Sequence, residues 1–284
     1  MADEPKPGLH SAPRRVLVAG DWHGNTQWAL NVIKRVPQLL PDEGHPLVLQ
    51  LGDFGIWPGA EGKRYLDSVS AVLDWMGAQL WFVDGNHEDF SQLQHVAADV
   101  GAGDRVAVRR NICYLPRGHR WRWHGRTWLA CGGGVSLDKA LRTEGHDWWP
   151  QEEITDEQEA ALLATGEADV MVCHDCPSAV AHSFPAPPSQ WSHVDLARND
   201  AHRRRLQRIT DAVRPRHLMH GHLHRAYQRE CDFGYGPVEV TGLGSDGVMR
   251  NFAVLDVSSM KWEIRRTLRD VSKPLLSGFR QRRS

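Results

Sequence analysis

Five stretches of this 284-residue chain share one design: an apolar run ends in a tight turn carrying carboxylate, imidazole or amide side chains, four of the five turns also carrying glycine. They are Gly20-Asp21-Trp22-His23-Gly24-Asn25, Gly52-Asp53, Gly85-Asn86-His87-Glu88, Cys173-His174-Asp175 and Gly221-His222-Leu223-His224. Glycine lets the backbone turn sharply and lets a ligand come close. Mixed carboxylate, imidazole and amide donors suit divalent transition metals such as manganese, iron or zinc better than calcium or magnesium alone. Taken singly, each stretch is weak. Asp21 and His23 also suit a helix cap, His174 a hydrogen-bonded histidine at a strand end, and His222 with His224 half of a mononuclear zinc site. Their force comes from convergence, because the carboxyl ends of strands in an open α/β sheet line one crevice.

The elements needed to bring them together are legible. RRVLVAG from Arg14 to Gly20, PLVLQLGD from Pro46, AQLWFVDG, ADVMVCHD and RHLMHGH read as strands, each running into one of the five turns. Helices are expected from about Thr26, over Lys63 to Met76 with Tyr65, Val69, Val72, Leu73 and Met76 on one face, from Asp156 behind a Thr155 or Asp156 cap, and over Ala201 to Val213. Strand alternating with helix indicates a layered α/β fold. His119 to Gly134 alternates aromatic and polar residues about His124-Gly125, as a hairpin opening a second sheet would. Ser183 to Ser192 reads as a loop, and VEVTGLG and NFAVLDVS as late strands.

Composition bounds the rest. With 41% hydrophobic residues the chain can bury a large core, and 34 basic against 35 acidic residues leave no overall field for polyanions or membranes. One domain over 14–270 is expected between tails at 1–13 and 271–284. No apolar run nears the roughly 18 residues of a membrane span, the first residues lack a leader pattern, and five cysteines fit reduced thiols, so a cytoplasmic location is expected.

In order and type, the five turns resemble the signature of the calcineurin-like metallophosphoesterase superfamily, DxH, GD, GNH(E/D), H and GHxH, over about Val16 to His224. The resemblance implies a four-layer αββα sandwich of two mixed sheets flanked by helices, here with an inserted hairpin or cap segment, and two metal ions. It implies Asp21, His23 and His224 as ligands of one ion, Asn86, His174 and His222 as ligands of the other, and Asp53 as the bridging, catalytic carboxylate. His87 resembles the histidine that protonates the leaving group or, with Asn86, holds the phosphate. Manganese is the first expectation, iron or zinc the alternatives. The implied reaction is hydrolysis of a phosphate ester by a hydroxide bridging the two metals. Glu88 or Asp89 either fixes the protonation of His87 or begins a helix.

The protein phosphatase branch of that superfamily carries an Asp-Arg-Gly whose arginine grips the phosphate, and Asp53-Phe54-Gly55 lacks it. Within the 132–153 segment, Arg142 beside Asp138 is the substitute candidate for substrate binding, with Trp148 or Trp149 to stack a base; the alternative is a surface ion pair and a core. Cys173-x-x-Cys176 has the spacing of a zinc or redox motif but no second pair. His202 to Arg205 with Arg208 is either a nucleic-acid face or a solvated helix surface. The expected function is phosphomonoester hydrolysis on a phosphoprotein or nucleotide; the alternatives are a phosphodiesterase on cyclic nucleotides or nucleic acid, and a non-catalytic scaffold.

Overall fold

Side chains of successive strand residues point to opposite faces, so an unbroken apolar strand needs packing on both sides. In the computed structural model, which describes residues 12–98, 100–101, 104–184, 191–248 and 250–263, this requirement produces four layers. The expected tails, apart from residues 12 and 13, lie outside the described residues, as do 264–270 and the centre of the expected 183–192 loop.

The strands are β1 (Arg15–Ala19), β2 (Leu47–Gln50), β3 (Gln79–Phe82), β4 (Val106–Arg109), β5 (Ile112–Tyr114), β6 (Arg120–Trp123), β7 (Arg126–Cys131), β8 (Val170–Cys173), β9 (His217–His220), β10 (Tyr227–Asp232), β11 (Pro237–Gly242), β12 (Phe252–Asp256) and β13 (Lys261–Glu263). The helices are α1 (Thr26–Ile33), α2 (Val36–Leu39), α3 (Gly59–Trp75), α4 (Phe90–Ala97), α5 (Asp156–Leu163), α6 (Ser178–Ala181) and α7 (His193–Val213). One sheet has the order β13-β12-β1-β2-β3-β5-β4, the other β10-β11-β9-β8-β7-β6. Both are mixed: β1, β2, β3 and β5 run parallel in the first and β7, β8, β9 and β11 in the second, with antiparallel strands at the edges.

Three cores follow from the alternation. Leu17, Ala19, Leu80 and Phe82 pack outward with residues of α1, α3 and α4. Val16, Val18, Trp81 and Val83 face Trp128, Ala130, Val170 and Val172 between the sheets. Met171, Cys173 and Leu218 pack outward against Leu206, Ile209 and Val213 of α7. The expected αββα sandwich is thus observed, and the β6–β7 hairpin, turning at His124-Gly125, is the edge of the second sheet.

Two helices start earlier than their apolar periodicity suggests. α3 begins at Gly59 rather than Lys63, because Gly62 lies against the Trp57 backbone, where a Cβ would come 1.7 Å from the carbonyl oxygen. α7 begins at His193 rather than Ala201; Ser192 caps it, and its first turns bury Asp195 and Asn199, polar residues that an apolar pattern does not register. The Thr155 capping box of α5 forms as expected. Segment 132–153 contains two short 3-10 turns, the second held by Arg117, which pairs with buried Asp84 and donates to the carbonyls of Gln151, Glu152 and Glu153.

Candidate metal centre

All five turns stand at the carboxyl ends of parallel strands: Asp21 after β1, Asp53 after β2, Asn86 after β3, His174 after β8, and His222 and His224 after β9. The two sheets face each other there, so their strand ends share one cleft. Of the eight non-glycine residues with positive φ among the described residues, four are His23, Asp53, His222 and His224. Left-handed backbone in such residues is uncommon and persists only where its surroundings hold it. Here the N–H groups of Trp22 and His23 both donate to the Asp53 carbonyl. Buried Gln50 bridges the turns, donating to the Gly20 and Gly52 carbonyls and accepting from the Gly52 N–H. Missing side chains matter equally: a Cβ on Gly221 would lie 2.0 Å from Asp21 Oδ1 and one on Gly85 2.1 Å from Asp53 Oδ1.

The donor atoms converge. Asp53 Oδ2 is 3.3 Å from His23 Nε2 and 3.4 Å from His174 Nε2, so one carboxylate oxygen faces both donor groups. Its other oxygen accepts the His87 N–H at 2.8 Å. On one side His224 Nε2 lies 3.0 Å from Asp21 Oδ2. On the other, His174 Nε2 lies 3.1 Å from Asn86 Oδ1 and 3.2 Å from His222 Nδ1.

Tautomers follow from the partners. Asp246, whose carboxylate can only accept, takes the Nδ1–H of His23 at 2.8 Å, and the Leu51 carbonyl takes that of His174 at 2.8 Å. Each Nε2 is therefore the nitrogen turned toward the other oxygen and nitrogen atoms, a grouping that needs a shared positive charge, either a proton on the ring or a cation between the donors. Ligands about 2.1 Å from a metal and at right angles to one another are about 3.0 Å apart, which matches these separations. The electrostatics agree. Burial opposes protonation of His23 and His174, yet Asp53 and Asp21 carry their pKa values up to about 9 and about 10. Burial would likewise raise Asp53, but His174, His87 and His23 hold it well below the usual carboxylate range. The pocket draws positive charge, and the two donor sets fit a pair of divalent cations.

The chain belongs to the calcineurin-like phosphoesterase family. The family model matches residues 14–226, which span all seven expected ligands. TT1561 of Thermus thermophilus has the same fold: at 16% identity and a TM-score of 0.50, the match covers 88% of this chain and 97% of that one. GAP50, the anchor in the inner membrane complex of Plasmodium, matches at 11% identity and a TM-score of 0.43, over 86% of this chain and 81% of that one. No curated protein sequence matches the chain. The candidate site lies where the strand ends of the two sheets face each other, and no helix among the described residues is long and apolar enough to cross a membrane.

Other expectations resolve against the geometry. Glu88 is fully buried and accepts the N–H groups of Phe54, Gly55 and Ile56, while Asp89 caps α4. Neither bonds His87, whose Nδ1 is buried without a partner. Arg142 closes its fork on Asp138 at 2.7 and 2.6 Å and gives its remaining nitrogen to the Asp147 carbonyl. Trp148 and Trp149 are buried, Trp149 bonding Ser91 and Trp148 lying under Lys139, so neither can stack a base. Cys173 and Cys176 are buried free thiols in apolar packing, and burial pushes both well above the usual thiol range, which gives no support to a zinc or redox role for the pair. In the basic segment His202 is buried, Arg203 pairs with Asp175, and Arg205 and Arg208 pair with Glu159, so these side chains tie α7 to its neighbours, while Arg204 is exposed.

Three useful residues escaped the sequence reading. Asp246 follows Gly242-Leu243-Gly244, a sixth strand–glycine–carboxylate turn at the end of β11. Gln50 is the one polar residue of β2 and ends that strand. Arg203 lines the cleft of about 910 Å³ beside Asp53, Asn86, His87 and His222. It had no such signal, since its pairing with Asp175 runs through the fold.

Proposed function

We propose that this protein is a binuclear metallophosphoesterase whose main substrates are phosphomonoesters, either phosphoproteins or nucleotides. The observation carrying the reading is Asp53 Oδ2 facing both donor sets at 3.3 and 3.4 Å. Asp21, His23 and His224 are assigned to one cation, Asn86, His174 and His222 to the other, and Asp53 to both, with manganese expected ahead of iron or zinc. A bound pair supplies Lewis acidity, lowering the pKa of a water between the cations and offsetting phosphoryl charge.

The chain's own residues do the rest. The Asp246 and Leu51 contacts keep the imidazole lone pairs turned inward. Asn86 and His87 line the cleft beside Asp53, which supports assigning Asn86 to a phosphate oxygen and the ring of His87 to the leaving group's proton. Arg142 is engaged by Asp138, so phosphate binding is better supported at Arg203: its Nε bonds both Asp175 oxygens, at 3.1 and 3.0 Å, and its terminal nitrogens make no hydrogen bond among the described residues. Those nitrogens offer a phosphate charge-assisted donors. The five free thiols support a cytoplasmic location.

A diesterase reading retains one supporting observation: the cleft runs past the donor atoms to Phe184 and Trp191, leaving room for a second ester arm. Hydrolysis of p-nitrophenyl phosphate and bis-p-nitrophenyl phosphate by the manganese-loaded protein tests the choice. A preference for the monoester is expected; a strong preference for the diester reverses it. Inactivity on both, with fewer than two metal equivalents bound, would favour the scaffold.

A further inference from the structure

A metal-ligating asparagine differs from an aspartate in one respect that matters here. Its two terminal atoms are opposites, and only Oδ1 can meet a cation. Asn86 is buried, with Oδ1 toward His174 Nε2 and Nδ2 donating to Ser136 Oγ at 3.0 Å. Ser136 is itself buried, in the segment after β7, and its Oγ lies 2.6 Å from Glu152 Oε2 while its N–H donates to Glu152 Oε1 at 3.1 Å. Glu152, fully buried, also accepts from Arg198 of α7 at 3.2 Å.

From this chain we infer that Ser136 and Glu152 are positioning residues that decide which end of the Asn86 amide faces the cation site. The inference rests on the binuclear reading above. The Ser136 N–H and the Arg198 guanidinium both donate to Glu152 Oε1, and in a carboxylate paired with Arg198 the remaining Oε2 can only accept, so the Ser136 hydroxyl gives it its hydrogen. A hydroxyl has one hydrogen, and Oγ is then left only to accept, which admits the Nδ2–H of Asn86 and rejects Oδ1. The carboxylate thereby imposes a direction, carried through a serine, on an amide that could otherwise turn over and aim N–H groups at the cation. The same residues wall the cleft through Ser136, Leu137 and Asp138, so the substrate-facing segment and this ligand are built as one unit.

Ser136→Ala removes the link. Glu152→Gln reverses it, since a glutamine amide can donate to Ser136 Oγ and free its hydrogen for Asn86 Oδ1. Chelator-stripped full-length protein is titrated with Mn²⁺, following affinity calorimetrically and the exchange-coupled pair by electron paramagnetic resonance. Wild type is expected to bind two equivalents. Both variants should weaken one equivalent about 10- to 100-fold and leave the other unchanged, the magnitude typical of residues that orient metal ligands. In an Asn86→Asp background, where either oxygen can face the cation, Ser136→Ala should have little further effect. Equal weakening of both equivalents, or an undiminished Ser136→Ala effect in that background, marks a merely structural role and overturns the inference, as does no change in either variant. If wild type itself binds no pair, the binuclear reading fails and the inference falls with it.

Discussion

His23 Nδ1 lies 2.8 Å from the Asp246 carboxylate, a contact that joins the turn after β1 to the turn after β11, more than two hundred residues later. The same carboxylate takes a hydrogen bond from Asn25 at 2.7 Å. Asp246 thus fixes both the tautomer and the pitch of an imidazole on the left-handed backbone. Asp246→Ala is expected to weaken the cation assigned to Asp21, His23 and His224 about 10- to 100-fold, with the other cation unaffected, as read by metal titration. Unchanged affinity at both would leave the contact without a role in metal binding.

Gly52 precedes the shared carboxylate with φ +90°, and a Cβ there would stand 2.4 Å from His174 Nδ1. Gly52→Ala combines about 1–3 kcal/mol of backbone strain with displacement of that ring. Metal content should fall below two equivalents and the melting temperature should drop. Full occupancy in a stable variant would show the turn to be more tolerant than its geometry implies.

What could be read ahead of the structure was whatever repeats a local pattern. Strand periodicity and the glycine turns made the strands and five candidate turns visible, because a residue at a strand end is set by its own few neighbours, while the two-sheet sandwich and the choice of seven donors came from the resemblance to a known family. Arg203 was legible only as part of a basic helix, since the helix start is written in polar residues and Asp175 lies 28 positions away. Glu152 behaved similarly: nothing in Pro150-Gln151-Glu152 indicates a fully buried carboxylate, because burial is conferred by α7 and the segment after β7. Trp148 and Trp149 stayed open between core and pocket for the opposite reason, an aromatic pair serving one as readily as the other, and they are buried.

His202 is buried with both ring nitrogens unpartnered, and burial, aided by nearby Arg117, His222 and Arg203 and opposed by Asp175, lowers its pKa to about 3. The unfolded chain takes up a proton near the ordinary histidine value of about 6.5, while the native state resists until about 3. Stability from this group is therefore complete above the ordinary value and is lost as pH falls toward the native one. His202→Leu should flatten the acid limb by up to about 1.4 kcal/mol per pH unit in that window. Urea unfolding of wild type and variant at pH 7, 6 and 5 measures the difference; parallel curves would refute the assignment.

Arg203 and Arg142 can be separated directly. Arg203→Lys keeps a charge beside Asp175 but loses the planar fork, so inhibition by inorganic phosphate should weaken about tenfold, the equivalent of one charge-assisted hydrogen bond. Arg142→Ala breaks an ion pair with a partly exposed partner and should alter phosphate inhibition by no more than about threefold. The reverse ranking would return phosphate binding to Arg142.

His87 groups with His23 and Asp53 closely enough to be a metal ligand itself, so its assignment as proton donor needs a test that a ligand would fail. Its backbone N–H, not its ring, bonds Asp53, and this contact survives truncation. His87→Ala should therefore keep both cations while lowering kcat about 10²- to 10⁴-fold. The loss should depend on the leaving group. A p-nitrophenolate departs without a proton, whereas an alkoxide needs one, so alkyl phosphates should suffer far more than p-nitrophenyl phosphate. Burial lowers the pKa of His87 while Asp53 pulls it up, so the protonated donor is depleted as pH rises, and kcat/KM on alkyl phosphates should fall on the alkaline side in wild type but not in the variant. Loss of a metal equivalent, or an equal loss on both leaving groups, would assign His87 to binding rather than to proton transfer.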